Sequence, residues 1–400
     1  MKKIIKYITI IILIFLIGIS IYILYQDYRI KHAKIKVELI DNLDIEVYSD
    51  IKLKDLIKKI NGKLIENKRI NTKKIGKKEI NFKYINEENI KVSYTFHINI
   101  VDKTKPLIYG PSTITLYKNS LKDINKKFFC GDNYDNEPTC EIKGKYDINE
   151  IGTYNLTYLA KDSSNNESKI NFKLNIIESN NINETNKEKA TETYYKDIVK
   201  NYKKKNNKIG IDVSKWQGDI DFKKLKEENV EFAFLRVGAQ TEINGEYYLD
   251  TKFIQNIEGF NQVNIPVGIY FYTKATSDKE AIKQAKWIIK KIKNYKIELP
   301  IVFDWENWDN YRDYNLSFYS LSKMYHTFEK EINKSGNKAM LYSSKNYLEK
   351  IWKTKDDNIW LAHYTNKTNY EGKYKVWQIC DDGIIDGIKE NKVDIDIMYD

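Results

Sequence analysis

Two acidic residues, Asp304 and Glu306, stand directly after a short apolar run, Ile301 to Phe303, that follows Pro300. The run is typical of a buried strand, and residues two apart in a strand project from the same face, about 6–7 Å apart. We therefore expect the two carboxyls side by side, with Trp305 turned to the opposite face. Neighbouring carboxyls raise the pKa of one of them, which leaves one proton donor and one anion. Such a pair could cleave a glycosidic bond, but two unrelated acids at a solvated strand end would show the same pattern.

Two further acids occupy comparable positions. Asp212 follows the apolar residues Ile209 to Ile211, and Asp394 lies in an apolar strand near the end of the sequence. If the strands between them form one closed sheet, the first and last strands become neighbours. Asp212 and Asp394 would then lie together beside the other two acids. Four carboxyls in one mouth with apolar walls indicate chemistry rather than mere solvation.

An acidic cluster could instead hold Ca²⁺ or Mg²⁺, which prefer oxygen ligands. The sequence has no loop with the closely spaced aspartates of such sites, and His326 and His363 lack the paired ligands of a zinc site. We therefore predict no metal site and no cofactor.

Strands and helices alternate over residues 208–400. One helix is predicted from the capping box Ser277 to Glu280 and the apolar stripe that continues to Ile292. A second helix has its stripe from Leu321 to Ile332, and the last strands follow without helices. The eight predicted strands are Ile209–Val213, Phe232–Val237, Pro266–Tyr272, Leu299–Trp305, Ala339–Ser343, Ile359–His363, Lys375–Cys380 and Val393–Ile397. This pattern predicts an α/β barrel closed by a few antiparallel strands, with its active site at the carboxyl ends of the strands.

Hydropathy sets residues 1–34 apart from the rest. Lys2, Lys3 and Lys6 precede an uncharged run of 19 residues that ends at Tyr25 and is long enough to span a bilayer as one helix. A cleaved signal peptide is the alternative, but the run does not end in the small residues of a cleavage site. Residues 4–25 therefore predict a transmembrane signal anchor in the cell membrane. We place its N-terminus inside and the remainder of the chain outside, at the cell wall.

Residues 35–178 look like two copies of one β-rich unit, 35–104 and 105–178. An Ile-Gly pair recurs at Ile75 and Ile151, 76 residues apart, and a closing strand recurs at the same offset. Short alternating runs with turns between them are typical of small antiparallel sandwiches. The segment from Gly144 to Glu167 resembles the immunoglobulin-like repeats of bacterial surface proteins, although the first copy lacks the Ala160–Asn165 part of it. The resemblance implies a spacer or a stalk that contacts the wall.

The three cysteines fit an extracellular location. Cys130 and Cys140 enclose a short turn in the second copy, which favours a disulfide over a metal pair. Cys380 lies in an apolar stretch and is predicted to be buried as a small hydrophobe. Residues 179–207 carry many charges and few apolar side chains, so they predict a linker with a short helix near residues 194–202.

The net charge of +11 is unevenly distributed. Residues 208–400 contain 29 Lys and Arg against 30 Asp and Glu, so the excess lies in residues 1–207. A basic N-terminal half favours contact with a membrane surface or with anionic wall polymers. Nucleic acid is disfavoured, because no glycine-rich RNA motif, recognition helix or zinc finger accompanies the charge.

The segment from Ile211 to Gly218, Ile-Asp-Val-Ser-Lys-Trp-Gln-Gly, resembles the opening signature of glycoside hydrolase family 25, the Chalaropsis-type lysozymes. The resemblance covers essentially residues 208–400. The other matching motifs, in the family's order and spacing, are Val267–Tyr270, Asp304–Glu306, Ile359–Tyr364, Val376–Gln378 and Val393–Asp394. The resemblance implies a (β/α)5β3 barrel that cleaves the β-1,4 bond from N-acetylmuramic acid to N-acetylglucosamine in peptidoglycan.

The resemblance also implies roles for single residues. Glu306 would be the general acid, and Asp304 would orient or stabilise the 2-acetamido group of the substrate. The carboxylate cluster would be completed by Asp212 and Asp394. The residues that match substrate-lining positions are Tyr270, Trp360, Tyr364 and Gln378. With an N-acetylated sugar as substrate, we expect the acetamido oxygen itself to attack, which is a recognised exception to the two-carboxylate scheme.

Some residues leave alternatives open. Phe271 stands where many family members have His, and we interpret it as a change in the pocket wall. Trp216, Trp360 and Trp377 could each be core residues.

Two classes of function remain. One is an anchored muramidase, and the other is a non-catalytic wall-binding module, which would tolerate the loss of an acid. The presence of all four acids favours the enzyme. A chitinase-like barrel is disfavoured because its Asp-x-x-Asp-x-Asp-x-Glu strand is missing.

Overall fold

The computed structural model describes residues 2–178, 192–354 and 358–400. The chain is multidomain and divides into two compact units, Met1–Lys103 and Thr104–Asp400. The first unit holds an apolar helix and a β domain, and the second holds another β domain and a barrel-like sheet. Residues 179–191, the first part of the predicted linker, lie outside the described residues.

The N-terminal helix, α1 (Lys2–Lys31), is apolar around its whole circumference. Its segment Lys6–Lys31 is long and apolar enough to cross a membrane, judged by length and composition. Phe15, near its middle, is 67% exposed, so this apolar surface does not serve a protein core.

The β domain of the first unit contains six strands in two sheets. These are β1 (Val37–Leu39), β2 (Asp44–Glu46), β3 (Ile57–Ile60), β4 (Gly62–Leu64), β5 (Gly76–Asn86) and β6 (Lys91–Val101). One sheet has the order β2-β6-β5-β4, and β1 pairs with β3. Along β5 the side chains alternate between buried and exposed, because residues two apart face the same side. Ile80, Phe82 and Tyr84 form the buried series.

The β domain of the second unit repeats this arrangement. Its strands are β7 (Leu107–Tyr109), β8 (Thr113–Tyr117), β9 (Phe129–Gly131), β10 (Thr139–Lys143), β11 (Gly152–Lys161) and β12 (Glu167–Ile177). One sheet has the order β10-β11-β12-β8, and β7 pairs with β9. In both domains the second strand runs parallel to the sixth, and the other pairings are antiparallel. The two copies inferred from the sequence therefore share one strand order and one set of strand directions.

The second β domain has a compact aromatic core closed by a disulfide. Phe128 stacks on Tyr158 with ring centroids 4.3 Å apart. Cys130 and Cys140 are bonded to each other, and both are buried. The bond ties β9 to β10, which belong to different sheets of the domain.

Residues 193–399 form the barrel-like sheet and its helices. The strands are β13 (Thr193–Tyr194), β14 (Asn207–Val213), β15 (Ala233–Gln240), β16 (Tyr247–Leu249), β17 (Val267–Tyr272), β18 (Ile301–Asp304), β19 (Ala339–Ser344), β20 (Ile359–Ala362), β21 (Val376–Ile384) and β22 (Val393–Tyr399). The helices are α2 (Tyr195–Tyr202), α3 (Phe222–Glu227), α4 (Phe253–Gln262), α5 (Asp278–Ile292), α6 (Phe318–Lys334) and α7 (Lys345–Lys350). All eight strands predicted from the sequence are present, and β13 and β16 are additional.

Eight of these strands close into a ring in the order β14-β15-β17-β18-β19-β20-β21-β22. The first seven are mutually parallel, and β22 runs antiparallel to both β21 and β14. The prediction of a few antiparallel closing strands was therefore wrong for β20 and β21. The connection from β19 to β20 includes α7, and both β20 and β21 pair in parallel with the strand before them, so each starts at the same end of the ring.

The helices cover the outside of the ring by burying one apolar face each. Ser277 caps α5 by accepting a hydrogen bond from the amide of Glu280, as the capping box predicts. Ala281, Ala285 and Ile288 then point inward at helical spacing and are fully buried.

The predicted linker is wrong for residues 193–207, which belong to the barrel. Strand β13 pairs in parallel with β21. Tyr195 is 1% exposed, and its hydroxyl donates to the carbonyl of Ile209 at 3.1 Å. The many charges of this segment concealed an amphipathic helix whose buried side consists of Tyr195 and Ile198.

The second β domain packs against the barrel through an aromatic contact. The ring of Phe129 lies 5.0 Å from that of Tyr311, and it also contacts Trp308 and Phe318. The amide of Phe318 donates to the carbonyl of Asp132 at 2.8 Å. The barrel segment involved, a 3-10 turn over Trp308–Tyr314, starts two residues after Glu306.

Candidate active site

A cavity of about 330 Å³ opens at the carboxyl ends of the parallel strands. All four predicted acids and all four predicted substrate-lining residues contribute to its wall, and these are Asp212, Tyr270, Asp304, Glu306, Trp360, Tyr364, Gln378 and Asp394. The antiparallel strand β22 begins at this end, and therefore Asp394 near its start lies level with the ends of the other strands. We call this cavity the acidic cleft.

The acid pair is formed by a strand end rather than by a continuous strand. Strand β18 ends at Asp304, so Glu306 lies beyond it, which corrects the predicted extent of the strand. Asp304 is 4% exposed, whereas Glu306 reaches the space of the acidic cleft, whose walls still desolvate its carboxyl. The two carboxyls lie within hydrogen-bonding range of each other. Trp305 turns away, is fully buried, and donates from its indole nitrogen to the carbonyl of Ala275 at 3.3 Å.

Desolvation raises the pKa of both members of this pair. The pKa of Asp304 lies well above its ordinary value because the group is buried and because Glu306 is beside it. Arg236 opposes this rise by favouring the Asp304 anion. The pKa of Glu306 is also raised by desolvation, while the hydrogen bond with Asp304 lowers it. The pair therefore holds a shared proton at higher pH than isolated carboxyls would.

Asp212 and Asp394 are brought together by strand register. They are Cα partners in the antiparallel pairing of β14 with β22. Asp212 accepts a hydrogen bond from the amide nitrogen of Gln378 at 2.8 Å. Burial and the charge of Asp394 raise the pKa of Asp212 well above its ordinary value. Burial and the charge of Asp381 raise the pKa of Asp394 to about 7.

Gln378 is held by two tyrosines. The hydroxyl of Tyr342 donates to its Oε1 at 2.7 Å, and the hydroxyl of Tyr364 donates to the same atom at 3.0 Å. Because Oε1 is thus the acceptor, the amide nitrogen must point the other way, toward Asp212. The bonds fix the orientation of both Gln378 and Asp212.

A fifth acid, Asp396, was not predicted as a site residue. It lies two residues after Asp394 on β22, is 0% exposed, and accepts a hydrogen bond from Trp360 Nε1 at 2.7 Å. Its carboxyl lies within hydrogen-bonding range of Asp212, and its pKa is raised well above its ordinary value by burial and by Asp394. The signal in the sequence was its position in an apolar strand, between Ile395 and Ile397.

Arg236 was also missed. It lies in the middle of the apolar strand β15 and contributes to the wall of the acidic cleft. Its Nη2 forms an ion pair with Asp250 at 2.7 Å, and Asp250 has a side chain with no exposed surface. A single charge inside an otherwise apolar strand was the available sign.

Two sequence interpretations of aromatic residues need correction. Phe271 is 1% exposed and packs against Trp287 with centroids 5.5 Å apart, so it faces the helices and does not change the pocket wall. Its neighbours Tyr270 and Tyr272 line the acidic cleft instead, as strand alternation requires. Trp360 and Trp377 are buried, but Trp216 is 60% exposed and is not a core residue.

The acids of the cleft do not form a compact cation site. In the described residues, no three of them bring ligand oxygens within 4.8 Å of one another. Their arrangement as a hydrogen-bonded pair facing a second acidic group suits proton transfer between carboxyls and a bound molecule.

A closed α/β sheet with paired carboxyls at its strand ends is an arrangement that barrel-type glycoside hydrolases use. The family model for glycosyl hydrolases family 25 matches residues 211–388, which confirms the resemblance found in the sequence. Residues 211–388 therefore form a domain of glycosyl hydrolases family 25.

Two relatives each match a little under half of the chain. The autolytic lysozyme of Clostridium acetobutylicum is 25% identical over 182 residues, which cover 45% of this chain and 52% of the relative. The uncharacterized protein YegX of Escherichia coli K12 is 28% identical over 196 residues, covering 45% of this chain and 65% of the relative. The chain thus spans about half to two thirds of the length of these relatives.

The comparison with solved structures also matched two bacterial proteins. A family 25 glycosyl hydrolase from Bacillus anthracis is 26% identical, with a TM-score of 0.41, covering 50% of this chain and 92% of that one. The modular autolysin LytC from Streptococcus pneumoniae, solved with a synthetic peptidoglycan ligand, is 23% identical, with a TM-score of 0.42. That comparison covers 61% of this chain and 56% of LytC.

Proposed function

We propose that this protein is a membrane-anchored peptidoglycan hydrolase. Its substrate would be the β-1,4 bond between N-acetylmuramic acid and N-acetylglucosamine. The observation that supports the proposal most is the position of Glu306, which is open to the acidic cleft while its carboxyl adjoins that of buried Asp304. Glu306 can hold a proton and reach a ligand, and the buried carboxyl of Asp304 lies behind it.

Glu306 would act as the general acid. Its proton passes to the glycosidic oxygen as the bond from that oxygen to the anomeric carbon breaks. The acetamido oxygen of the same sugar attacks the anomeric carbon, which gives a cyclic oxazolinium ion. Water then attacks this carbon, and its proton returns to the Glu306 carboxylate. The raised pKa values of Asp304 and Glu306 keep one proton on the pair near neutral pH, and Glu306 is the member that can pass it to a ligand in the acidic cleft.

Asp304 would hold the acetamido N–H and balance the positive charge of the oxazolinium ion. The charge of the nearby Arg236 favours the Asp304 anion and so opposes the rise of its pKa on burial. Asp212 and Asp394 would bind the sugar on the opposite wall, with Tyr270, Trp360, Tyr364 and Gln378 shaping the space around it.

The remaining domains would place the enzyme at the wall. Helix α1 has the length and composition of a signal anchor, and the proposal puts the barrel outside the membrane. Residues 35–104 and 105–178 would be immunoglobulin-like spacers, with basic surfaces that contact anionic polymers.

The test is lysis of purified peptidoglycan by the full chain in detergent, in a gel assay with Glu306→Gln beside the unaltered protein. Reducing-end analysis of the products identifies the bond. We expect muramic acid reducing ends and a clear zone that is lost in the variant. Equal clearing by a folded Glu306→Gln protein would contradict the proposal, and no clearing by either protein would indicate a wall-binding module instead.

A further inference from the structure

Trp216 is an exposed aromatic side chain at the mouth of the acidic cleft. It lines the cleft and is 60% exposed, whereas the other tryptophans of the acidic-cleft region, Trp305 and Trp360, are buried. Exposing an indole ring to water forgoes the gain of burying it, about 2 kcal/mol for a large apolar side chain. Such a ring beside a cleft indicates a surface for a ligand.

The backbone that carries Trp216 is firmly held. Trp216 lies on a 3-10 turn, Lys215–Gln217, and its amide donates to the hydroxyl of Ser214 at 3.3 Å. Gln217 accepts from the amide of Ser214 at 2.9 Å and donates from Nε2 to the carbonyl of Lys392 at 2.9 Å. Ser214 and Gln217 are both buried. The exposed ring is therefore displayed by a rigid frame.

A cation lies on this ring. The ammonium group of Lys215 is 4.8 Å from the ring centroid of Trp216 and 5.9 Å from that of Tyr248. The backbone amide of Lys215 donates to Asp250 at 3.1 Å, which fixes the start of the side chain. Within the described part of the chain, no carboxylate lies within 4.0 Å of this ammonium group. Its charge is available to a ligand.

The charge of Lys215 contrasts with the cleft beside it. The cleft wall carries Asp212, Asp304, Glu306, Asp381 and Asp394, and its cation Arg236 is already paired with Asp250. An anionic group on a ligand would be repelled by these acids. It would be accepted beside a free cation, and Lys215 offers one next to the exposed ring of Trp216.

We propose that Lys215, Trp216 and Tyr248 form a subsite for a sugar that carries a carboxylate. The free face of Trp216 would stack on the sugar ring, and the ammonium group would pair with the carboxylate. This inference rests on the proposed function, because the peptidoglycan glycan offers such a group in two forms. One is the lactyl carboxylate of muramic acid without a peptide, and the other is a carboxylate of the stem peptide.

The experiment measures binding by the full chain in detergent, with Glu306→Gln as the background so that the ligand is not consumed. Three tetrasaccharides are titrated by calorimetry: a chitin tetramer without carboxylates, a peptide-free muramic acid glycan, and the same glycan with stem peptides. We expect Lys215→Gln to weaken binding of an acidic glycan about threefold, as partly exposed ion pairs do. Binding of the chitin tetramer should not change.

Trp216→Ala should weaken binding of all three ligands about tenfold, because roughly 60 Å² of apolar contact is lost. Trp216→Phe should restore most of it. Lys223→Gln, at an exposed lysine on α3, is the matched control and should leave all three affinities unchanged. The effect of Lys215→Gln should shrink at high salt. Loss on the peptide-free glycan identifies the lactyl carboxylate, and loss only on the peptide-bearing glycan identifies the stem peptide.

The subsite is refuted if Lys215→Gln weakens binding of all three glycans equally, if Trp216→Ala changes no affinity, or if no glycan binds. These outcomes are independent of lysis. A chain that binds in the expected order but never cleaves peptidoglycan would contradict the proposed hydrolase and leave the subsite standing.

Discussion

Asp212 and Asp394 lie directly opposite each other as Cα partners of the first and last strands of the barrel. This pairing closes the ring of strands and, by the same contact, assembles half of the acidic cleft. Because side chains alternate along a strand, a shift of one residue in this register would turn Asp394 away from Asp212. Closure of the sheet and construction of the site are therefore one structural event.

The acid pair gives the first prediction. Glu306→Gln should lower the lytic rate about 10²- to 10⁴-fold, which is the usual contribution of a general acid. Glycan binding should change little, because the amide keeps the size of the carboxyl. Rates on soluble glycan strands and a thermal melt of both proteins provide the measurement and its folding control. A fall in binding that matches the fall in rate would assign Glu306 to binding alone.

The second prediction concerns pH. A general acid must be protonated, so activity should fall as pH rises through the raised pKa of the Asp304–Glu306 pair. The charge of Asp394 raises the pKa of Asp304, and burial raises the pKa of Asp394 itself to about 7. Asp394→Asn removes that charge and should move the alkaline limb of the rate profile to lower pH. An unchanged limb would show that Asp394 does not act on the pair.

The third prediction concerns the stability contributed by Asp396. The pKa of Asp396 is higher in the folded state than in the unfolded state, where it is near 3.8. Its contribution to the free energy of unfolding is therefore fully present below about pH 3.8 and is lost as pH rises through the folded pKa. Asp396→Asn keeps the acceptor for Trp360 and avoids burying a charge. We expect the variant to gain thermal stability over the unaltered protein at pH 8, and to gain less at pH 4.5.

Melting curves at the two pH values measure this difference. Asp386→Asn, at an exposed acid of the same barrel, serves as the control and should show little difference at either pH. An equal gain for Asp396→Asn at both pH values would mean that ionisation of Asp396 is not the cause.

The contact between the second β domain and the barrel gives a fourth prediction. Phe129 is 8% exposed and meets Trp308, Tyr311 and Phe318. Phe129→Ala should lower the free energy of unfolding by about 3–5 kcal/mol, as for other buried aromatic residues. Tyr117→Ala, at a 47% exposed site of the same domain, should cost far less in the same urea titration. If Phe129→Ala and Tyr117→Ala lower the free energy of unfolding equally, burial of Phe129 against the barrel does not contribute to stability.

The disulfide gives a fifth prediction. Cys130 and Cys140 close a loop with a sequence separation of 10 residues. Replacing both by Ser should destabilise the second β domain by about 2–3 kcal/mol, from the entropy that the cross-link removes from the unfolded chain. Denaturation of the unaltered protein with and without reductant should show the same loss. Addition of reductant should leave the double variant unchanged, and a further loss there would point to another cause.

Asp212 and Asp304 could be found from the sequence because each follows a short apolar run, and Glu306 because it stands two residues after Asp304. Asp394 could be found because it interrupts the apolar pattern of the last predicted strand. The acid pair itself was expected on one strand, yet β18 stops at Asp304. The turn that follows depends on the packing of Trp305 against Trp308 and Tyr314, which is a tertiary effect.

Residues whose role depends on distant partners were not visible in the sequence. Asp396 accepts a hydrogen bond from Trp360, which lies 36 positions away in the sequence. Arg236 donates a hydrogen bond to Asp250, which follows strand β16. The packing of Tyr195 on the barrel was hidden by the lysines around it. Phe271 was misjudged because a motif match gives the residue type at a position but not the side of the strand that it faces.

The docking of the second β domain on the turn after Glu306 bears on how such proteins change by recombination. A spacer joined only by a flexible tether can be exchanged for any other module. Here the exchanged module would have to supply an aromatic side chain in place of Phe129 and hydrogen-bond acceptors for Ser317 and Phe318. The second β domain and the barrel should therefore be inherited as a pair. A chimaera that replaces one of them must restore the packing and the hydrogen bonds of this contact.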